Sequence, residues 1–285
     1  MTALTLYAIL IALCQVQGQL TVYLTDAPVQ RIGPRLYKKE LLTSQYRDPI
    51  ELAYDSATRN LFFMYMDEAL QNSGRAYVNV VTKRSAKVDG IRENKATAVD
   101  PEAGVVYFGS RDGLYVYDPV ENRARNVGLY NVDVFKLVVR DNRMYLIDAN
   151  DHMIYKVSGA NAVRLGKAKT VIDFEIDGKG NVHFATICGV YCAVGGDEIV
   201  KNSDLSVSYI FIVDGERTYS IAEGALYELD CAKGAAAKIA DLDFSPRSLV
   251  FGDYGDIYYS EGDNIYRLKP ITSYVMYKLH KKKRV

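Results

Sequence analysis

Two cysteines stand close together in "CGVYC", Cys188 and Cys192, and a third, Cys231, follows at a distance. Such a pair suggests redox or zinc chemistry at first sight. The three histidines, His152, His183 and His280, are too scattered to assemble a metal cluster from spacing alone. No G-x-S-x-G, H-E-x-x-H or phosphate-loop pattern occurs. A second set is more informative. Glu51, Lys95, Lys136, Asp173, Glu175 and Arg247 interrupt otherwise apolar runs, with Tyr46, Phe135 and Tyr209 beside them. Charges on apolar strands are costly unless paired or hydrated, so these residues are binding-site candidates. Their value depends on the elements that place them.

Those elements repeat. Six hairpins align on Phe62, Tyr107, Tyr145, His183, Tyr219 and Tyr258, at spacings of 45, 38, 38, 36 and 39 residues. A second tyrosine follows in the next strand: Tyr77, Tyr115, Tyr155, Tyr191, Tyr227 and Tyr266. Before each hairpin an apolar run ends in Asp, at Asp55, Asp100, Asp141, Asp177, Asp214 and Asp253. Asp starts tight turns because its side chain accepts hydrogen bonds from backbone N–H groups two residues on, so six recurrent Asp residues need no calcium. Each unit holds an apolar strand, an Asp turn, an aromatic strand, a short turn, a Tyr strand and a more polar fourth segment. Four short strands per forty residues predict a β-propeller blade. The strands "LFFMYM" and "YIFIV" are apolar on both faces, as blades stacked on both sides require.

The expected fold is therefore all-β, a six-bladed β-propeller with four short antiparallel strands per blade. The sixth unit lacks a regular fourth strand after Leu268. Either "TSYVMYKL" or the N-terminal segment from "LTVYLTD" to "RLYKKELL" must supply it, and closure by the N-terminal strand removes the open edges. In this frame the blade tyrosines are packing residues, and His183 holds a position otherwise filled by Phe or Tyr. The charged set falls at the leading ends of the innermost strands, around one mouth of the central channel. Aromatic faces with Lys and Arg could hold a flat, polar, carboxylate-bearing ligand there. Cys188 falls at a hairpin turn and Cys192 inside the following strand, so a bridge between them needs an unusual bend. Cys231 is expected at the opposite end of the next blade, and all three are expected to be buried thiols.

Lys plus Arg and Asp plus Glu both number 35, which leaves no broad field for nucleic acid. Residues 1–18 have an apolar run of about a dozen residues, too short to span a bilayer, with Val16 and Gly18 placed for cleavage before Gln19. A secretory signal peptide is expected, then one propeller domain over 19–277 and a basic tail over 278–285. Cys14 leaves with the signal, so an odd number of cysteines remains and at least one thiol is free or pairs between chains. There is no N-x-Ser/Thr sequon. The expectation is a secreted monomer with no membrane span.

The stretches "ELAYDSATRNLFFMYMDE" and "KATAVDPEAGVVYFGSRDGLYVYDPVENRARNVG" resemble the ommochrome-binding proteins of insects, chiefly moths. The likeness is most specific from Ala96 to Asp118 and extends over nearly the whole mature chain. It implies a haemolymph protein that binds a tryptophan-derived pigment, such as xanthommatin, non-covalently and without a catalytic cofactor. Two other readings compete. One is a calcium-dependent lactonase of the six-bladed gluconolactonase-like kind, for which Glu51 and Asp173 are candidate ligands but Lys95 and Lys136 would repel the cation. The other is a propeller that binds a protein through its rim.

Overall fold

The computed structural model describes residues 28–67, 72–91, 93–194, 198–206, 209–213 and 217–271. The expected signal peptide, the basic tail and the segment "TSYVMYKL" lie outside them. Two N-terminal strands, β1 (Val29–Ile32) and β2 (Arg35–Thr43), precede the first full blade. Blade 1 holds β3 (Arg47–Asp55), β4 (Asn60–Met66), β5 (Ser73–Asn79) and β6 (Ser85–Val88). Blade 2 holds β7 (Asn94–Asp100), β8 (Val105–Ser110), β9 (Gly113–Asp118) and β10 (Arg123–Gly128). Blade 3 holds β11 (Val134–Arg140), β12 (Arg143–Asp148), β13 (Met153–Ser158) and β14 (Asn161–Arg164). Blade 4 holds β15 (Val171–Ile176), β16 (Val182–Thr186), β17 (Gly189–Val194) and β18 (Glu198–Ser203). Blade 5 holds β19 (Tyr209–Val213), β20 (Arg217–Ala222), β21 (Ala225–Asp230) and β22 (Ala235–Asp241). Blade 6 holds β23 (Ser248–Phe251), β24 (Ile257–Glu261) and β25 (Asn264–Pro270).

Each blade is an antiparallel meander, and the first strands pack in the cycle β3, β7, β11, β15, β19, β23 and back to β3. The chain is a six-bladed β-propeller with its first strands lining the axis. Blade 6 takes its fourth strand from the N-terminus. β2 pairs with β25 from Tyr37↔Pro270 to Thr43↔Ile265, and β1 adds a fifth strand outside it. Pairing the two ends of the chain leaves the ring without an open break.

Large apolar side chains fill the seams between blades. Phe62, Phe63, Phe108, Phe174 and Tyr259 are fully buried. Each such side chain contributes about 1.5–3 kcal/mol of transfer free energy. The seam between blades 2 and 3 is tight enough to demand glycine: a Cβ on Gly109 would meet Val134 Cγ1 at 2.4 Å.

The recurrent Asp residues mostly act as turn-formers. Asp55 accepts from the Ala57 N–H, Asp100 from those of Glu102 and Ala103, and Asp177 from those of Lys179 and Asn181. Asp141 itself takes a left-handed turn conformation, with φ +48°. Asp214 lies outside the described residues. Asp253 departs from the pattern: it pairs with Arg59 and accepts from the Tyr54 hydroxyl, both in blade 1, across the closing seam.

The cysteines correct the sequence-based expectation. Cys192 and Cys231 form a disulfide between blades 4 and 5, with Cα atoms 5.6 Å apart. Cys188 is free and exposed rather than buried. Tyr191 and Tyr227 are equivalent in the repeat, and Cys192 and Cys231 follow them by one and four residues. An offset of three positions looks like separation on flat blades. The twist between packed sheets brings the two positions together.

Candidate functional site

The leading ends of the inner strands are irregular. Register shifts fall between Asn94 and Ala96 in β7, Val134 and Lys136 in β11, and Val171 and Asp173 in β15. β3 carries two, one between Arg47 and Ile50 and another between Ile50 and Ala53. Bulges bend a strand and re-aim the side chains beside them. Within the second β3 irregularity Glu51 adopts φ +53°, a conformation that non-glycine residues reach only at a cost of about 1–3 kcal/mol.

These distortions bring three of the flagged residues together across the channel, Glu51, Lys136 and Asp173, with Glu175 close enough to act on Lys136. Lys136 Nζ lies 3.0 Å from Asp173 Oδ1 and 3.8 Å from Glu51 Oε2. Asp173 Oδ2 accepts the Ile210 N–H at 2.7 Å, which ties the carboxylate to blade 5. The Leu52 N–H, next to Glu51, donates to Ser248 Oγ of blade 6 at 3.0 Å. Glu175, two residues along from Asp173, also acts on Lys136.

The charge balance sets the protonation states. Burial opposes the Lys136 ammonium, but Asp173, Glu51 and Glu175 outweigh it and hold the pKa above the ordinary lysine value. Burial pushes the Glu175 carboxyl up to about 7 despite the counteracting Lys136. Glu51 is raised by the same cause and is likewise partly offset by Lys136. Three carboxyl groups thus surround one ammonium. Arg75 favours the ionised form of Glu51, and Arg140 that of Glu175. Such a lining can accept hydrogen bonds from amino or imino groups. It can meet an acid group only where Lys136 exchanges partners.

The other flagged residues sit elsewhere. Lys95 Nζ is paired with Asp133 at 2.6 Å, and Arg247 with Asp48. Both pairs join neighbouring blades at the leading ends of inner strands. Tyr46 is buried against Phe63 and Tyr65, with ring centroids 5.0 Å away in each case. Phe135 packs edge-on to His152 at 5.5 Å, within the core between blades 3 and 4. Tyr209 occupies the start of β19, opposite Ile221.

Sequence reasoning missed three charged partners. Asp48 and Asp133 are the counter-charges of Arg247 and Lys95, and both lie within a few residues of flagged positions. Arg75 is the third. It is 1% exposed on β5, donates to Thr97 Oγ1 and to the Ala96 carbonyl at 3.0 Å, and lies over the Phe108 ring. An Arg two residues before the blade-1 tyrosine, in "SGRAYVN", was its signal.

A cleft of about 440 Å³ opens away from the channel, lined among others by Leu129, Tyr130 and Tyr155. No charged cluster like that around Lys136 lines it.

No protein-family profile matches the chain. The ommochrome-binding protein of Manduca sexta is 22% identical over 269 residues, covering 92% of this chain and 97% of its own length. Among solved structures, a gluconolactonase from Xanthomonas campestris superposes with a TM-score of 0.64 at 12% identity, covering 87% of this chain and 99% of its own. A streptogramin B lyase superposes with a TM-score of 0.54 at 8% identity, covering 82% and 98%. At these identities the structural likeness is one of fold. The sequence likeness to the Manduca protein runs through all six blades.

Proposed function

We propose that the chain is a non-catalytic binding protein for a small planar ligand, an ommochrome pigment such as xanthommatin, held at the charged mouth of the channel. The observation that carries this reading is the likeness to the Manduca protein along 92% of the chain. The channel chemistry is compatible. Glu51 and Glu175 offer acceptors to ligand N–H groups, and Lys136 offers an ammonium to an acid group. Secretion into the haemolymph as a monomer belongs to the same reading. The Cys192–Cys231 bridge supports it, because disulfides persist in oxidising compartments. No helix of the described residues is long and apolar enough to cross a membrane.

A calcium-dependent lactonase is the second reading, favoured by the gluconolactonase-like fold. The residues fit that cation poorly. Calcium needs six to eight oxygen ligands, whereas the Lys136 ammonium already lies between Asp173 and Glu51. A cation there would have to displace it.

Titration of the purified chain with xanthommatin tests the proposal. The chain has 23 tyrosines and no tryptophan, so tyrosine fluorescence and the pigment's visible spectrum are both clean reporters. A saturable one-to-one shift, weakened about tenfold or more by Lys136→Ala, is expected for loss of a charge-assisted contact. Absence of a shift, together with calcium-dependent hydrolysis of a lactone, would overturn the reading in favour of the enzyme.

A further inference from the structure

Blade 4 departs from the repeat at one position. The other units carry Phe62, Tyr107, Tyr145, Tyr219 and Tyr258 where blade 4 carries His183. The imidazole is 2% exposed. Its Nε2 lies 3.1 Å from Asp177 Oδ2. A carboxylate only accepts, so Nε2 carries the proton and Nδ1 keeps a free lone pair. Nδ1 is buried and has no hydrogen-bond partner among the described residues. The nearby groups include the two sulfurs of the inter-blade bridge: the ligand atoms of His183, Cys192 and Cys231 all lie within 4.8 Å of one another.

We propose that reduction of the Cys192–Cys231 bond converts this cluster into a site for a soft d10 metal ion of the Zn²⁺ or Cu⁺ kind. Two thiolates and an imidazole are the donor set such ions select. Metal–sulfur and metal–nitrogen bonds of about 2.3 and 2.0 Å place tetrahedral donors roughly 3.5–4 Å apart, so the two sulfurs, once their bond is broken, separate to that distance while the imidazole needs only a small approach. Asp177 already occupies the outer position that fixes a ligating imidazole. It is itself held by the Asn181 side chain at 2.8 Å.

The chemistry balances with an external dithiol as reductant. The dithiol gives two electrons and two protons to the S–S bond and becomes a disulfide itself. The two protein thiols then lose both protons as the ion binds. Bond and ion exclude each other, so the seam between blades 4 and 5 has two closed states, one covalent and one metal-bridged.

The test uses the full mature chain carrying Cys188→Ser, which removes the exposed third thiol. The protein is reduced anaerobically with excess dithiol, desalted and titrated with Co²⁺. One equivalent is expected to produce a thiolate-to-metal charge-transfer band, while the oxidised protein produces none. Displacement of the band by Zn²⁺ or only by Cu⁺ identifies which ion the site prefers. His183→Phe restores the residue type of the other blades, so it should fold. It should abolish the band or weaken binding by more than 100-fold, while Asp177→Asn should weaken it by about 10–100-fold. Far-UV circular dichroism covers the case in which reduction unfolds the chain: recovery of structure with one equivalent of Zn²⁺ supports the site. A reduced chain that shows no band, does not refold with Zn²⁺ or Cu⁺, or binds equally well as His183→Phe would overturn it.

Discussion

The seam between blades 1 and 2 and the seam between blades 4 and 5 occupy equivalent places in the ring, yet different chemistry holds them. In the first, Phe62 lies 5.1 Å from Tyr117 and 5.9 Å from Phe108, and Tyr77 completes the cluster. In the second, Ala185, Val190, Ile210, Ala222 and Leu229 form an aliphatic core with Tyr227 partly buried against it. A disulfide and the hydrogen bond from Asn202 Nδ2 to the Asp230 carbonyl span the same two blades. One aromatic position, Phe62 or His183, separates the two solutions. Where the aromatic is present, burial and ring packing act beside the hydrogen bonds from Arg75 to Thr97 and the Ala96 carbonyl, with no covalent tie among the described residues. Where it is replaced by a polar group with its own partner, a covalent tie is added.

The largest expected effect breaks the aromatic side of this comparison. Phe62→Ala should cost about 3–5 kcal/mol in urea unfolding, the usual range for emptying a large core site. Reductant should leave that difference unchanged. A loss below about 1 kcal/mol would mean that the first seam does not rest on its rings. Next comes the covalent side. The bridge closes a loop with a sequence separation of 39. The chain-entropy account gives such a loop roughly 4 kcal/mol, and measured values usually run about 2–4 kcal/mol. The double variant Cys192→Ala, Cys231→Ala should lose that much and become insensitive to reductant. Equal stability of variant and wild type would show the aliphatic core to be sufficient on its own.

The two seams also differ in how far they were legible. Part of the aromatic seam follows from period and residue type, because Phe62 and Tyr77 recur at blade spacing, whereas their partners Phe108 and Tyr117 stand one and two positions off the repeat anchors Tyr107 and Tyr115. Closure by the N-terminal strand followed from the missing fourth strand after Leu268. The disulfide did not follow, since it depends on the twist between two sheets, which residue spacing does not encode. The candidate cluster at the channel was legible in part. Glu51, Lys136, Asp173 and Glu175 stood out as charges on apolar strands; the first three meet and the fourth acts on Lys136. Tyr46 and Phe135 were grouped with them by position but point into cores. The reason is the bulges: each extra residue reverses which side chain faces the axis, and nothing in residue type marks where a bulge falls.

The smallest effect sharpens the comparison at His183 itself. Burial lowers the imidazole pKa below its ordinary 6.5, and the hydrogen bond to Asp177 only partly offsets this. The unfolded chain therefore takes up a proton near pH 6.5 that the folded seam resists. The contribution of His183 is fully present above that pH and is lost as pH falls through the window below it. Two other groups move the opposite way. Burial raises Glu175 to about 7 and raises Glu51, so their contributions are present at low pH and lost as pH rises. Raw pH curves mix these signs. The difference between wild type and His183→Phe removes the channel terms and isolates the seam. That difference should grow against wild type as pH falls from 7 to 5. Asp177 does not obscure it. Burial raises its carboxyl, but hydrogen bonds from Asn181, His183 and Lys179 outweigh this and hold it below 3.8, so its contribution is lost only at lower pH. A difference that stays flat across the window would mean that the fourth blade tolerates the imidazolium as well as the neutral ring. The two seams would then differ in their covalent tie alone.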